Sequence, residues 1–178
     1  MNNMNLEDLL IKAINASING GFEILKIYNT NFSYERKEDK SPLTIADKNC
    51  HNIIEQELRL TNIPILSEEG KHTSFEERKK WNHLWIVDPL DGTKEFIKKN
   101  GEFTVNISLV RNKVPILGVI YVPVTKDLYF GLENIGSFKC SNVDNEFHDL
   151  ESLITKSKKL PLQYKRDNYV IVGSRSHM

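Results

Sequence analysis

Between Phe103 and Ser141 the chain reads as one short strand after another, joined by turns that leave room only for hairpins. Phe103, Val105, Ile107 and Leu109 alternate with Thr104, Asn106 and Ser108, the period-two pattern of a half-buried strand. Asn112-Lys113 marks a hairpin turn, and Val114 to Val122 is a second strand, interrupted by Pro115 and Gly118. Thr125-Lys126-Asp127 turns the chain again. Leu128 to Leu132 is a third strand, and a shorter one, Ser137 to Ser141, follows Asn134-Ile135-Gly136. Strands this closely spaced pair with their sequence neighbours, which predicts an antiparallel meander.

Helices precede the meander. Leu6, Leu10, Ala13/Ile14, Ser17/Ile18, Gly21 and Leu25 recur every three to four residues, an amphipathic helix over 5–28. Residues 29–42 are polar and read as a loop or two short edge strands; Lys37 and Lys40 could face a ligand, though a solvated loop is the plainer reading. Thr44 then has the look of an N-cap, with Asp47 three residues on. Ala46, Cys50, Ile54 and Leu58 share one face of the helix that follows, to about Leu60. Helices first and hairpins after is an α+β order: two N-terminal helices packed on one face of a largely antiparallel sheet.

Two strand tips carry acids. Ile63 to Leu66, with Pro64 near its start, reads as a buried strand that runs into Ser67-Glu68-Glu69-Gly70. Residues 71–83 are polar, with a possible short helix at Phe75 to Lys80. Leu84 to Val87 is a second apolar run, and it ends on Asp88. Pro89 has no N–H to donate and should not continue a central strand. Asp91-Gly92 is a turn signal, so a second carboxylate follows three residues after the first, and Thr93 places a hydroxyl just beyond. Two unit charges about 4 Å apart cost on the order of 4 kcal/mol at an effective dielectric near 20. A hard divalent cation removes that cost, and carboxylate with backbone carbonyl oxygen is what Mg²⁺ prefers. Each acidic tip alone could be a solvated turn, and Asp47 alone could serve only the helix start. Their repetition points to a cation site at one sheet edge. An EF-hand does not account for it, because Pro89 and Leu90 break the alternation of oxygen ligands.

Composition narrows the partners. Lys plus Arg and Asp plus Glu both number 24, so the formal net charge is zero and nothing supports a nucleic-acid or anionic-membrane surface. A small phosphorylated ligand needs only a few local donors and remains open. Cys50 and Cys140 form no CxxC pair, which disfavours a zinc site and suits a reducing, cytoplasmic setting. No apolar run has the length of a membrane span, and the N-terminus lacks the build of a signal peptide. The chain's 178 residues suffice for one domain with a core, or one domain and part of another. The signal weakens from Asn142 to Asn168. Leu160-Pro161 to Asp167 has the composition of a linker, and Tyr169 to Val172 reads as a new buried strand before Gly173-Ser174-Arg175-Ser176-His177. The expected division is an α+β unit over 1–160, then a linker and the first strand of an incomplete second α/β domain over 161–178.

Asp88-Pro89-Leu90-Asp91-Gly92-Thr93, preceded by Ser67-Glu68-Glu69 and by Thr44-Ile45-Ala46-Asp47, resembles the inositol monophosphatase superfamily of lithium-sensitive, Mg²⁺-dependent phosphatases. The continuation Lys94-Glu95-Phe96-Ile97, then Asn100-Gly101-Glu102-Phe103-Thr104-Val105-Asn106, is similar to its bacterial 3′(2′),5′-bisphosphate nucleotidase branch. The resemblance covers nearly the whole chain in order and spacing.

On matching positions the resemblance implies that Glu68 and Asp88, with the Leu90 carbonyl, ligate a first Mg²⁺, and that Asp88 and Asp91 hold a second. Glu68, Leu90, Asp91, Gly92 and Thr93 would border the phosphate. Thr93 and Asp47 would form a relay, the hydroxyl contacting the attacking water while Asp47 accepts from it. Ser174 and His177 would border the nucleotide. The implied reaction takes 3′-phosphoadenosine 5′-phosphate and water to AMP and phosphate, within sulfur assimilation and nucleotide recycling. The implied partner is that small nucleotide bisphosphate, with two or three Mg²⁺ in a complete enzyme. Peripheral inner-membrane association is compatible with the resemblance, and oligomeric state is not legible. Family members continue beyond this point, into a Trp-Asp motif whose aspartate completes the second metal site, and into most of the base pocket. The chain alone is therefore expected to hold one metal and to hydrolyse weakly or not at all. The alternatives are an inositol or sugar monophosphatase, which Lys94-Glu95 disfavours, and a non-catalytic metal-binding fragment or interaction module.

Overall fold

The computed structural model describes residues 5–30, 42–71 and 73–162. Helix α1 is Leu6–Tyr28, capped by the Asn5 side chain, which accepts from the Glu7 N–H. Helix α2 is Pro42–Arg59. It starts two residues before the expected Thr44, so Thr44 and Asp47 lie inside the helix and Thr44 is not its N-cap. The opening proline explains the earlier start, since a first-turn residue needs no N–H and proline's φ is already helical. The expected face of α2 is buried: Ala46, Cys50, Ile54 and Leu58 are all 0–1% exposed.

One seven-stranded sheet follows, each strand beside its sequence neighbour. β1 (Ile65–Ser67) pairs in parallel with β2 (His83–Asp91), and the short helix α3 (Phe75–Arg78) lies in the connection. After β2 comes a one-turn helix, α4 (Thr93–Ile97), which the sequence pattern does not mark. β3 (Thr104–Arg111), β4 (Val114–Val122), β5 (Asp127–Leu132), β6 (Gly136–Cys140) and the two-residue β7 (Lys158–Lys159) then pair antiparallel throughout. Asn112 and Lys113 both have positive φ, 50° and 70°, the backbone of a tight hairpin turn whose twist matches the strands. Between β6 and β7 the sequence reading misses helix α5 (Leu150–Thr155), whose Asp149 side chain accepts from the Ser152 N–H at 2.7 Å.

Contrary to expectation, Pro89 sits within β2. The register explains it. Asp88 pairs with Asn106 and Asp91 with Thr104, so three steps on β2 oppose two on β3, a bulge. The parallel ladder with β1 ends at Val87, so the missing N–H of Pro89 breaks no strand pairing on that side.

α1 lies across β3 to β5 and α2 on β1 and β2, the two helices against each other. Beneath them Trp85, Val105, Leu109, Tyr121 and Leu128 are fully buried. Close approach needs small residues here: a Cβ on Gly20 would stand 2.6 Å from Cys50 Sγ, and one on Gly21 would stand 2.7 Å from the Tyr121 ring. The opposite face of the sheet is open, a groove of about 740 Å³ with Ile86, Asn106, Ser108, Ile120 and Tyr129 in its lining. Among the described residues no helix is long and apolar enough to cross a membrane, and both cysteines are free and buried.

Residues 31–41, with Lys37 and Lys40, lie outside the described residues, as do Tyr169 to Val172, Ser174 and His177.

Candidate active site

The site is built where α2 meets the ends of β1 and β2. Each acid-bearing tip is tied to that helix by a side chain of α2. The Cys50 thiol donates to the Pro89 carbonyl at 3.2 Å, inside the bulge between Asp88 and Asp91. The His51 Nδ1 lies 2.9 Å from Ser67 Oγ, one residue before Glu68. Asp47 precedes them by three and four residues, hence on the same side of the helix. Cys50 is buried, and burial together with the charges of Asp47 and Asp88 pushes its thiol well up, so it remains a donor.

The far side of the loop is anchored in the core. Leu90 and Phe96 are buried, and the Phe96 ring stands 5.4 Å from both Tyr28 and Phe103, which are themselves 5.0 Å apart. Rings at these separations add about 0.5–1.5 kcal/mol per pair beyond their buried area. Lys99 Nζ sits 5.5 Å above the Tyr28 ring and donates to the Tyr28 carbonyl at 2.8 Å, closing α4 onto the end of α1. Gly92 turns the chain with φ 95°, and a Cβ there would meet the Glu102 carbonyl at 2.9 Å, so only glycine fits between Asp91 and Thr93.

Five acids crowd the result. Asp88 is pushed up to about 6, by burial first and then by the charges of Glu68 and Asp91; the Leu90 N–H donates to it and opposes the rise. The Glu68 carboxyl also comes within hydrogen-bonding reach of Asp88. Asp47 is pushed up to about 7, by burial first and then by Glu69, Asp88 and Glu68. Asp47 Oδ1 and Asp88 Oδ1 are buried and find no hydrogen-bond partner among the described residues. Asp91 and Thr93 are exposed, and Asp91 accepts from Asn106 Nδ2 at 3.1 Å.

The donor set fits a hard cation. Among the described residues no group of three or more His, Cys, Asp or Glu side chains is placed to hold a metal ion by itself. Mg²⁺ does not ask for one. It keeps several waters and takes one or two carboxylates, with carbonyl oxygen completing the shell. Glu68, Asp88 and Asp91 bring carboxylates of that chemistry close enough to act on one another, and the chain between Asp88 and Asp91 carries the Leu90 carbonyl. The two orphaned buried oxygens are what a cation or its waters would satisfy.

Sequence reasoning assigns Glu69, His51, Cys50 and Asn106 no part in this site. Glu69 is the largest charge acting on Asp47. For Cys50 and His51 the available signal was their spacing from Asp47, three and four residues, once Asp47 itself was suspect.

The raised carboxyls have a consequence for the metal-free chain. A group whose folded pKa lies above its unfolded value, here 3.8, contributes stability that is complete below that value and lost as pH rises through the folded pKa. Asp127 and Asp149 are lowered instead, Asp127 by Ser141 and Lys139 against its burial and Asp149 by the Ser152 N–H, so their stabilisation is fully present above pH 3.8 and is lost only as pH falls below it. Melting in EDTA, followed by circular dichroism, should therefore fall steadily between pH 5 and pH 8, and added Mg²⁺ should restore it at pH 8. A flat or rising profile would show that these acids are not crowded.

The sequence profile of the inositol monophosphatase family matches residues 5–176. The chain belongs to the inositol monophosphatase family. Within it, the chain is 50% identical over 119 residues to the 3′(2′),5′-bisphosphate nucleotidase CysQ of Salmonella typhimurium, 65% of this chain and 48% of that protein. The protein of the same name from Haemophilus influenzae is 33% identical over an alignment of 187 positions, 96% of this chain and 70% of that one. The crystal structure of CysQ from Bacteroides thetaiotaomicron superposes with a TM-score of 0.93 at 50% identity, over 99% of this chain and 66% of that chain. The extragenic suppressor protein suhB from Bartonella henselae superposes with a TM-score of 0.61 at 26% identity, over 74% of this chain and 51% of that one. The chain spans about half the length of the Salmonella and Buchnera relatives, 48% and 55%. The α+β architecture expected from the strand and helix order is that of this family.

Proposed function

We propose that this chain is the metal-binding part of a Mg²⁺-dependent phosphatase that removes the 3′-phosphate from 3′-phosphoadenosine 5′-phosphate, giving AMP and phosphate. The observation that carries the reading is the convergence of Asp47, Glu68, Asp88 and Asp91 from three separate segments on one crowded, partly buried spot. The identity to bisphosphate nucleotidases, at 50%, against 26% for the inositol monophosphatase from Anabaena, favours the nucleotide over an inositol phosphate.

Glu68, Asp88 and the Leu90 carbonyl would hold one Mg²⁺, and Asp88 and Asp91 a second. When bound, Mg²⁺ supplies charge neutralisation at the phosphate, a more acidic water and stabilisation of the leaving 3′-oxygen. The chain's own groups orient the rest. The Thr93 hydroxyl positions the attacking water, and Asp47 takes up the proton. A carboxyl pushed to about 7 is poised for that exchange near neutral pH. The N–H groups of Gly92 and Thr93 border the phosphate as anion donors. Glu68, Leu90 and Asp91 line the same opening, and Ser174 and His177 are assigned to the nucleotide. In-line positioning, more than covalent chemistry, is the contribution asked of the protein. The reaction belongs to sulfur assimilation and nucleotide recycling.

The test is phosphate release by the 178-residue chain beside the Salmonella relative, with 3′-phosphoadenosine 5′-phosphate and with inositol 1-phosphate. Slow Mg²⁺-dependent release from the nucleotide alone is expected, at least about 100-fold below the longer protein, of which this chain matches 48%. A preference for inositol phosphate would overturn the substrate. Tight Mg²⁺ binding without any release would make the chain a metal-binding module instead.

A further inference from the structure

Asn106 touches the acid cluster from β3 through its neutral side chain. It pairs across the ladder with Asp88, so its side chain rises beside that of Asp88 on the open face. Its Nδ2 donates to Asp91 Oδ2 at 3.1 Å. A carboxylate only accepts, so this bond fixes which end of the amide faces Asp91 and turns the carbonyl oxygen away from it. That oxygen, Asn106 Oδ1, is buried and has no partner among the described residues, as is Asp88 Oδ1 on the paired residue. Two adjacent buried acceptors lack a donor, and no described side chain supplies one. A cation, or a water of its hydration shell, is the donor source that would satisfy both.

The choice of an amide matters. A Lys or Arg in this place would hold Asp91 equally well but would neutralise it and displace the cation. An Asp or Glu would add a further negative charge. An amide holds one carboxylate oxygen, leaves the charge intact and frees the other oxygen.

We infer that Asn106 is the positioning residue of the metal centre, aiming Asp91 through Nδ2 and accepting from the cation's shell through Oδ1. The inference rests on the metal-phosphatase reading above.

Mn²⁺ binding to the full chain, followed by electron paramagnetic resonance, tests it in four proteins: wild type, Asn106→Leu, Ser108→Ala and Asp88→Asn. Leu matches the shape of Asn without its polar atoms. Ser108, the next residue on that face of β3, donates to the Leu117 carbonyl at 3.0 Å and reports any general loosening of the strand. Outer-shell partners of metal ligands are worth about 10–100-fold in affinity. Asn106→Leu should therefore weaken Mn²⁺ about tenfold or more, with Ser108→Ala within twofold of wild type. Wild-type affinity in Asn106→Leu, or an equal loss in Ser108→Ala, would overturn the inference while the metal site stands. Absence of binding by the wild type, or undiminished binding by Asp88→Asn, would remove the metal reading itself and the inference with it. Should the Leu variant aggregate, Asn106→Ala makes the same comparison.

Discussion

The Asp88→Asn chain is expected to bind Mg²⁺ at least about 100-fold more weakly than the wild type, and to melt higher than it in metal-free buffer at pH 8. Both effects have one cause. Asp88 is the acid shared by both proposed cation positions, so its loss exceeds the 10–100-fold that an outer-shell partner commands. Without a cation the same carboxylate is a liability. Burial and the charges of Glu68 and Asp91 raise it to about 6, so at pH 8 it carries a charge its surroundings oppose. Asn has the same shape and keeps an acceptor for the Leu90 N–H. The gain in melting temperature should vanish near pH 4, where the wild-type carboxyl is protonated. Calorimetric Mg²⁺ titration and thermal melts at the two pH values decide the matter; unchanged Mg²⁺ affinity would dismantle the proposed site.

Asp47→Asn is expected to behave differently. Turnover of 3′-phosphoadenosine 5′-phosphate should fall 10²–10⁴-fold, the usual contribution of a positioned base, while Mg²⁺ affinity stays within about threefold. Asp47 is set on α2, not on the strand tips that would hold the cation, and it feels them through the charges of Glu69, Asp88 and Glu68. Removing that charge changes the field at the cation modestly and removes the proton acceptor entirely. A loss of Mg²⁺ affinity as deep as in Asp88→Asn would make Asp47 a ligand and not a base. Unchanged turnover would end its catalytic assignment.

The difference between these two acids shows where sequence reading stops. The alternation from Phe103 to Leu132 and the Asn112-Lys113 turn were enough to lay out the meander, because strand period and turn chemistry are local properties of the backbone. The apolar spacing of α1 and α2 was legible for the same reason. The acids at the two strand tips were also visible, since an apolar run that ends on carboxylates leaves few other meanings. Pro89 misled the strand boundary, because whether a missing N–H matters depends on whether a neighbouring strand reaches that far.

What the sequence by itself determined is the order of the two long helices and the meander, the two acidic tips and the family. What only the tertiary structure decided is how those tips are held: the Cys50 thiol on Pro89, His51 on Ser67, Asn106 on Asp91. These bonds join residues 15 to 39 positions apart. No local propensity encodes such pairs. They exist because packing α2 onto β1 and β2, and pairing β3 with β2, bring the groups within about 3 Å of one another, where a polar atom left unpaired would be costly.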